Sequence, residues 1–453
     1  MNLHPLTVPA GVVSFGLVAA AALVALRVTA GPLDPPAGAV GSTYKTLTEV
    51  EPRIAISSTN TPGDADSVFT ITQPGSYYLT GNITGVAGKH GIEIGADDVT
   101  VDLSGFRVRG VPGALHGVTT SGNRERVSIR NGTIAVWDGK GVSLSSAAEG
   151  GCVVEGVTVS TCGSWGISCG FNSRIENCLV ASCFSGGITA GANSSVIGCI
   201  QRQASGAFAV GITVSQGSLV KQCTASSNTG SGFSLGDGSV AQDCTSSNNV
   251  GDGYYLFAGA SISGCTARLN GNTGVQAVWE GAAIVDCTLV GNANIGIYAG
   301  NNVRVSGCTV VGGLGGIQTD DGCTVVGCAV RDTTGVGIRV NNGGHIENNL
   351  TRNNQQDGIS VNYSCAVIGN NCNGDGAAAG NHGAIRVLGQ ANRVEGNNIS
   401  YADRGLYLTS GGNVVVRNSV KGCTVNFDIV GGNDVGPIGS AATATSPWAN
   451  IQY

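Results

Sequence analysis

The chain has 453 residues, of which 74 are Gly and 16 are Cys, with aromatic residues at 5%, charged residues at 11% and a formal net charge of −6. So few charges, with neither a basic stripe nor an acidic block, exclude the electrostatic footprint of a nucleic-acid binder. After residue 27 no apolar run reaches the ~20 residues that a membrane-spanning helix needs, so only the amino-terminal segment offers a helical membrane contact.

Residues 8–26 (VPAGVVSFGLVAAAALVAL) are uncharged and apolar, and Val28, Thr29 and Ala30 precede Gly31 with the small residues of an export-signal cleavage site. The expectation is an exported chain, secreted, periplasmic or at the cell surface. Residues 1–30 then act as a cleaved signal or, if uncleaved, as a membrane anchor. Next, Thr46 and Glu49 are spaced as a capping box, with Pro52 to stop a short helix. Residues 31–85 are therefore expected to form an amino-terminal cap with the leading strands.

From there the chain repeats. A small residue followed by a hydrophobe recurs at Gly166, Gly187, Gly211, Gly232, Gly253, Gly274, Gly296, Gly316, Gly337, Gly358, Ala384 and Gly405, mostly 20 to 22 residues apart. Looser copies occur at Gly91, Gly117 and Gly141. Twelve or 13 positions after each of the twelve comes Cys178, Cys199, Cys223, Cys244, Cys265, Cys287, Cys308 or Cys328, and then Asn349, Asn371, Asn397 or Asn418. Such a period marks a solenoid whose units bury their apolar faces only by stacking. Within a unit the hydrophobes alternate, as in Gly211-Ile212-Thr213-Val214, so the elements are strands. About 21 residues suffice for three short strands and three bends, not for a strand with a crossover helix.

The fold predicted is all-β, a right-handed single-stranded parallel β-helix of about 15 coils with end caps, the helix over 86–425 and the carboxyl cap over 426–453. Glycine at the register position suits a place where a side chain would obstruct or φ is positive. The Cys/Asn column sits in a buried corner, Asn bonding along the axis and Cys filling the same space. Most of these thiols are expected to be free, because side chains stacked in parallel do not converge as a disulfide requires. Cys162 and Cys183, each four residues before a register glycine, form the best-placed bridge. Trp448 is expected to cover the last coil.

The segments GSYYLTGNITG (75–85) and VTVDLSGFRVRG (99–110), followed by the repeats, resemble exported bacterial right-handed parallel β-helix repeat proteins of the pectate-lyase-like superfamily over about residues 70–425. That resemblance implies the fold. The superfamily is associated with polysaccharide lyases, glycoside hydrolases, esterases, epimerases and members without an assigned reaction, so it does not select an activity.

Function is to be sought where the repeat stops being uniform. The position two after the register residue faces outward and reads Ser168, Thr189, Thr213, Ser234, Tyr255, Gln276, Tyr298, Gln318, Arg339, Ser360, Arg386, Tyr407. Small hydroxyls give way to planar groups. Tyr255, Phe257, Trp279, Tyr298 and Gln318 are the candidate carbohydrate-binding residues, since aromatic faces with amide neighbours suit sugar rings. Asp320, Asp321 and Arg339 are the candidate catalytic set of a polysaccharide lyase or glycoside hydrolase, with His345 beyond them; the two carboxylates work together only if Asp321 lies in a bend. The leading expectation is a polysaccharide- or surface-interacting β-helix, the enzyme the alternative. No cofactor is expected, except Ca²⁺ in the lyase case. Cys178 and Cys183 lack the histidines or second cluster of a zinc site, and the Gly-rich runs belong to the repeat rather than to a nucleotide-binding loop.

Overall fold

The computed structural model describes residues 51–144, 150–378 and 380–453. The expected signal or anchor and the capping box at Thr46 fall outside these residues. Arg53–Tyr453 forms one compact unit.

Each coil has three strands, and these stack into three parallel faces. Face 1 contains Trp165–Cys169, Gly186–Ala190 and Val210–Val214 and their successors; face 2 contains Arg174–Glu176, Ser195–Ile197 and Leu219–Lys221; face 3 contains Leu179–Ala181, Ile200–Arg202 and Thr224–Ser226. Ser128–Trp137 and Val153–Cys162 run across faces 2 and 3 unbroken. On faces 2 and 3 the usual three-residue strand buries only its middle side chain, as period-two alternation demands. Those middle residues are chiefly Val and Ile, such as Val196, Val220, Ile284 and Val325, and the β-branched shapes pack rung on rung along the axis.

Face 1 has 17 rungs, and the solenoid has about 18 turns rather than the 15 expected. Two extra rungs lie at the ends. Ser67–Ile71 pairs in register with His90–Ile94, and Val425–Ile429 with Arg404–Leu408. They escaped the sequence reading because Val68 and Asn426 occupy the register position where the repeat carries Gly or Ala.

The register glycines are not bends with positive φ. They lie on the inward side of face 1, where a Cβ at Gly253 would stand 2.4 Å from the carbonyl oxygen of Gly274. Real Cβ atoms do not approach so closely, so the obstruction half of the expectation is the one that operates.

All three corners carry polar ladders. At the corner between faces 2 and 3, Asn349, Asn370, Asn397, Asn418 and Asn450 each accept with Oδ1 from the backbone N–H of the preceding corner residue, at 2.9–3.0 Å. Asn370, not Asn371, belongs to this column: Asn370 is fully buried, whereas Asn371 is an exposed residue of face 3. Preceding cysteines do the same work with sulfur, Cys223 Sγ accepting from Cys199 N at 3.4 Å and Cys244 Sγ from Cys223 N at 3.5 Å. That shared role explains why one column accommodates both residue types. The other two ladders were not singled out from the sequence. Ser173, Ser194, Ser218 and Ser239 accept the corner N–H groups between faces 1 and 2, and Asn228, Asn249, Asn270 and Asn292 form the column between faces 3 and 1.

All 16 cysteines are free, 15 of them buried, Cys162 and Cys183 included. Trp448 borders one depression with Val414 and Val416 of the last full coil. It is about half exposed, with the Arg417 guanidinium 4.4 Å from its ring centre, and the interior ladder ends on Asn450, whose Nδ2 donates to Val415 O and Gly436 O.

Candidate functional site: the outward column of face 1

The backbone pairing places the outward column as the alternation implies. Ser168, Thr189, Thr213, Ser234, Tyr255, Gln276, Tyr298, Gln318, Arg339, Ser360, Arg386 and Tyr407 are consecutive partners on face 1. Adjacent parallel strands are ~4.8 Å apart, so Tyr255 through Arg339 present five side chains over roughly 20 Å.

The aromatic end is built at the join of face 1 and its first corner. Tyr255 meets Phe257 edge-to-face, with ring centres 5.3 Å apart and planes at 67°, a geometry that the ring quadrupoles favour. Phe257 and Trp279 stand on successive corners, and Trp279 is 51% exposed. Tyr298 donates its hydroxyl hydrogen to Asp320 Oδ2 at 3.0 Å. Partial burial, together with the Asp320 carboxylate, raises the phenol above its ordinary range; Tyr298 therefore remains a neutral donor that orients Asp320.

Gln318 and Arg339 border two depressions. One, of about 400 Å³, is lined by Asp320, Asn341, Ser360 and Leu388 as well. The other, of about 300 Å³, lies toward the opposite corner and includes Ile295, Leu314 and Gln356. Arg339 is exposed and forms no ion pair among the described residues. Its guanidinium is thus available to a ligand in either depression.

Asp320 and Asp321 take different directions. Asp321 does lie in the corner bend, followed by Gly322 at φ +69°. There its Oδ1 accepts from Asn341 Nδ2 at 2.7 Å, Asn342 N at 3.1 Å and Asn342 Nδ2 at 3.0 Å. These bonds tie one coil's corner to the next, while Asp320 lines the 400 Å³ depression beside Arg339. His345 is on face 2 and bonds Glu347 through Nε2 at 2.9 Å, away from the depression's lining.

A further charged cluster adjoins Arg339. Asp357 is 2% exposed, its Oδ1 accepting from Gly383 N at 2.8 Å, with His382 Nδ1 and Arg386 Nη1 each 3.7 Å from its carboxylate oxygens. Burial raises its pKa against the lowering influence of the Gly383 N–H and the neighbouring cations. Arg386 in turn sits over the Tyr407 ring at 5.3 Å. The signal in sequence was the 26-residue step from Gly358 to Ala384, which leaves room for an insertion carrying His382.

Two family models match the chain. Residues 116–293 match the right-handed β-helix region, and residues 258–436 match a family described as periplasmic copper-binding protein (NosD). With the stacked parallel coils above, these matches define the class: the chain is a right-handed parallel β-helix repeat protein. No curated protein matches it. Among solved structures, it is similar to the mannuronan C-5 epimerase AlgE4 A-module of Azotobacter vinelandii at 13% identity, covering 80% of this chain and 90% of that one with a TM-score of 0.30. It is similar to the receptor-binding domain of the Siphovirus 9NA tailspike at 11% identity, covering 86% and 79%, with a TM-score of 0.33. A third is the catalytic domain of a GH87 α-1,3-glucanase in complex with tetrasaccharides, at 14% identity, 81% and 71% coverage and a TM-score of 0.32.

The donor set of residues 258–436 does not fit copper. The chain's one Met and three of its five His lie outside this stretch, leaving His345 beside Glu347 and His382 beside Asp357. Its corner thiols are buried and donate to backbone carbonyls, as Cys265 Sγ does to Ser263 O at 3.4 Å and Cys308 Sγ to Ser306 O at 3.4 Å. A copper site draws on thiolate, imidazole or thioether groups that converge. Among the described residues the group of three potential ligand side chains with ligand atoms within 4.8 Å is Asp64, Asp66 and Glu93, all carboxylates and outside the matched stretch; Asp64 there is already bonded to Thr70 Oγ1 and Ser67 N.

Proposed function

We propose that the protein is an exported β-helix that binds a polysaccharide or a cell-surface glycan along face 1, between Tyr255 and Arg339. The observation that supports this reading most is the in-register run Tyr255, Gln276, Tyr298, Gln318, Arg339, flanked by Phe257 and Trp279 and ending in the two depressions. Planar apolar faces alternate there with amide, hydroxyl, carboxylate and guanidinium groups, the mixture that a sugar's C–H patches and hydroxyls require. Face 3 carries Thr224, Thr245, Thr266, Thr288 and Thr309 in register over the same coils and has no comparable aromatic run. Export fits the periplasmic description of one matched family. Retention of the protein in glycan-containing native gels tests the reading. Trp279→Ala and Tyr298→Ala are expected to weaken retention without lowering thermal stability, and unchanged retention by both variants would sink it.

A lyase or hydrolase acting in the same groove is the second reading, supported by Asp320 and Arg339 lining one depression. In that reading Asp320 is the acid–base group, Arg339 binds the substrate and neutralises its developing charge, and Asp321 positions the corner, with Ca²⁺ a cofactor only for a lyase. Turnover of a broad glycan panel by the wild type, abolished in Asp320→Asn, is the expected result. No turnover of any member would reject it.

A further inference from the structure

Toward the amino-terminal end of face 1, well away from the aromatic platform, one half-buried lysine has no carboxylate partner. Lys140 Nζ lies 3.0 Å from Ser168 Oγ, and no ion pair involves Lys140 among the described residues. Its backbone N–H donates to His116 Nδ1 at 2.8 Å, which fixes the start of this strand, and Ser168 is held by pairing to Ser143 on one side and Thr189 on the other. Burial lowers the amine's pKa from its ordinary value. The hydroxyls of Ser143 and Thr189 flank Ser168 in the same outward column, each one rung away and without a hydrogen bond of its own among the described residues. Beside them the Trp165 ring spreads over Gly186, where a Cβ would come within 2.4 Å of it. The neighbouring rung is bare at that point, which leaves the indole as an apolar floor.

We propose that Ser168 and Lys140 form a nucleophile–base dyad that hydrolyses small O-acyl esters, with Ser143 and Thr189 as donors to the developing oxyanion. A serine hydroxyl is a weak nucleophile until an adjacent base takes its proton, and a desolvated lysine amine is a base of that kind. Neutral Lys140 removes the Ser168 proton as Oγ bonds to the acyl carbon. The ester C–O bond then breaks, and the ammonium returns the proton to the departing alcohol. Water, deprotonated by the same amine, adds to the acyl-serine and releases the carboxylic acid, which restores both groups. The balance needs only ester and water.

The test uses the full chain, p-nitrophenyl acetate as substrate and a fluorophosphonate as covalent probe. Wild type is expected to be labelled on the Ser168 peptide, and its hydrolysis to rise with pH through a midpoint below that of an ordinary lysine. Ser168→Ala should abolish both. Lys140→Arg keeps a cation beside Ser168 but cannot give up its proton, so it should slow hydrolysis by at least ~10²-fold; a merely structural Lys140 would predict little change. Folded wild type that takes no label at Ser168, or Lys140→Arg at the wild-type rate, overturns the proposal. Thr266→Ala on face 3 should leave the esterase rate unchanged, and glycan retention is read in a separate gel, so failure of the glycan reading is seen separately.

Discussion

Asn370 and Asn371 are neighbours in sequence with opposite surroundings, and exchanging each for Ala measures what the corner ladder contributes. Asn370 Oδ1 accepts from Asn349 N at 2.9 Å and Asn349 Nδ2 at 3.0 Å, and its Nδ2 donates to Ile346 O and Asn397 Oδ1 at 3.0 Å. Alanine removes all of these bonds. It leaves the buried Asn349 N–H without its acceptor, at a cost of about 1–3 kcal/mol, and forfeits other bonds that contribute about 1 kcal/mol each. Asn349 Nδ2 keeps its bond to Val325 O at 2.8 Å, which limits the loss, so Asn370→Ala should destabilise this coil by roughly 3–5 kcal/mol. Asn371→Ala, on the exposed side of face 3, should stay within about 0.5 kcal/mol. A solenoid does not unfold as one unit, so amide hydrogen exchange near residues 346–349 is the appropriate assay, with urea unfolding as support. Protection there should fall by about 10²–10⁴-fold in Asn370→Ala alone, since 1.4 kcal/mol corresponds to tenfold. An equal or larger effect from Asn371→Ala would refute the ladder register.

His116 makes the protein sensitive to acid. Burial and the neighbouring His90 and Lys140 charges hold its pKa down at about 4, and its Nδ1 already accepts from Lys140 N. The unfolded chain binds a proton near pH 6.5, so His116 contributes full stability above that pH and loses it as pH falls toward 4; the window should vanish in His116→Gln. Thiol reagent should find at most one slowly reacting cysteine, Cys423, in the native protein and all 16 after unfolding, because the other 15 are buried. Cys265→Ser should cost about 1–2 kcal/mol, because a more strongly hydrated hydroxyl is buried where the thiol packs as a small hydrophobe.

The outward column could be read from alternation alone because a parallel stack preserves phase from rung to rung. Each partner from Ser168 to Tyr407 falls where period two puts it. Register at 370 was misassigned by one residue because two asparagines adjoin and spacing cannot tell an inward side chain from an outward one there. The Ser and Asn ladders at the other corners obey the same period, but Ser and Asn are also common turn residues, so their burial was not evident. Asp320 and Asp321 show the limit most clearly: adjacency did not reveal that one carboxylate faces the depression while the other bonds Asn341 and Asn342. Asp357 and His382 are brought together by an insertion rather than by the repeat, and the long step from Gly358 to Ala384 marks the insertion without naming the contact. Lys140 and Ser168 lie on adjacent rungs 28 residues apart, a diagonal contact that only the stacked coils expose.

Face 1 between Tyr255 and Arg339 is proposed as a glycan platform. Glycan-gel retention of wild type, Trp279→Ala, Tyr298→Ala and the face 3 control Thr266→Ala, at matched thermal stability, tests it most directly. Retention should fall in both aromatic variants and stay at the wild-type level in Thr266→Ala. Equal retention by all four proteins, or a loss confined to Thr266→Ala, would contradict it.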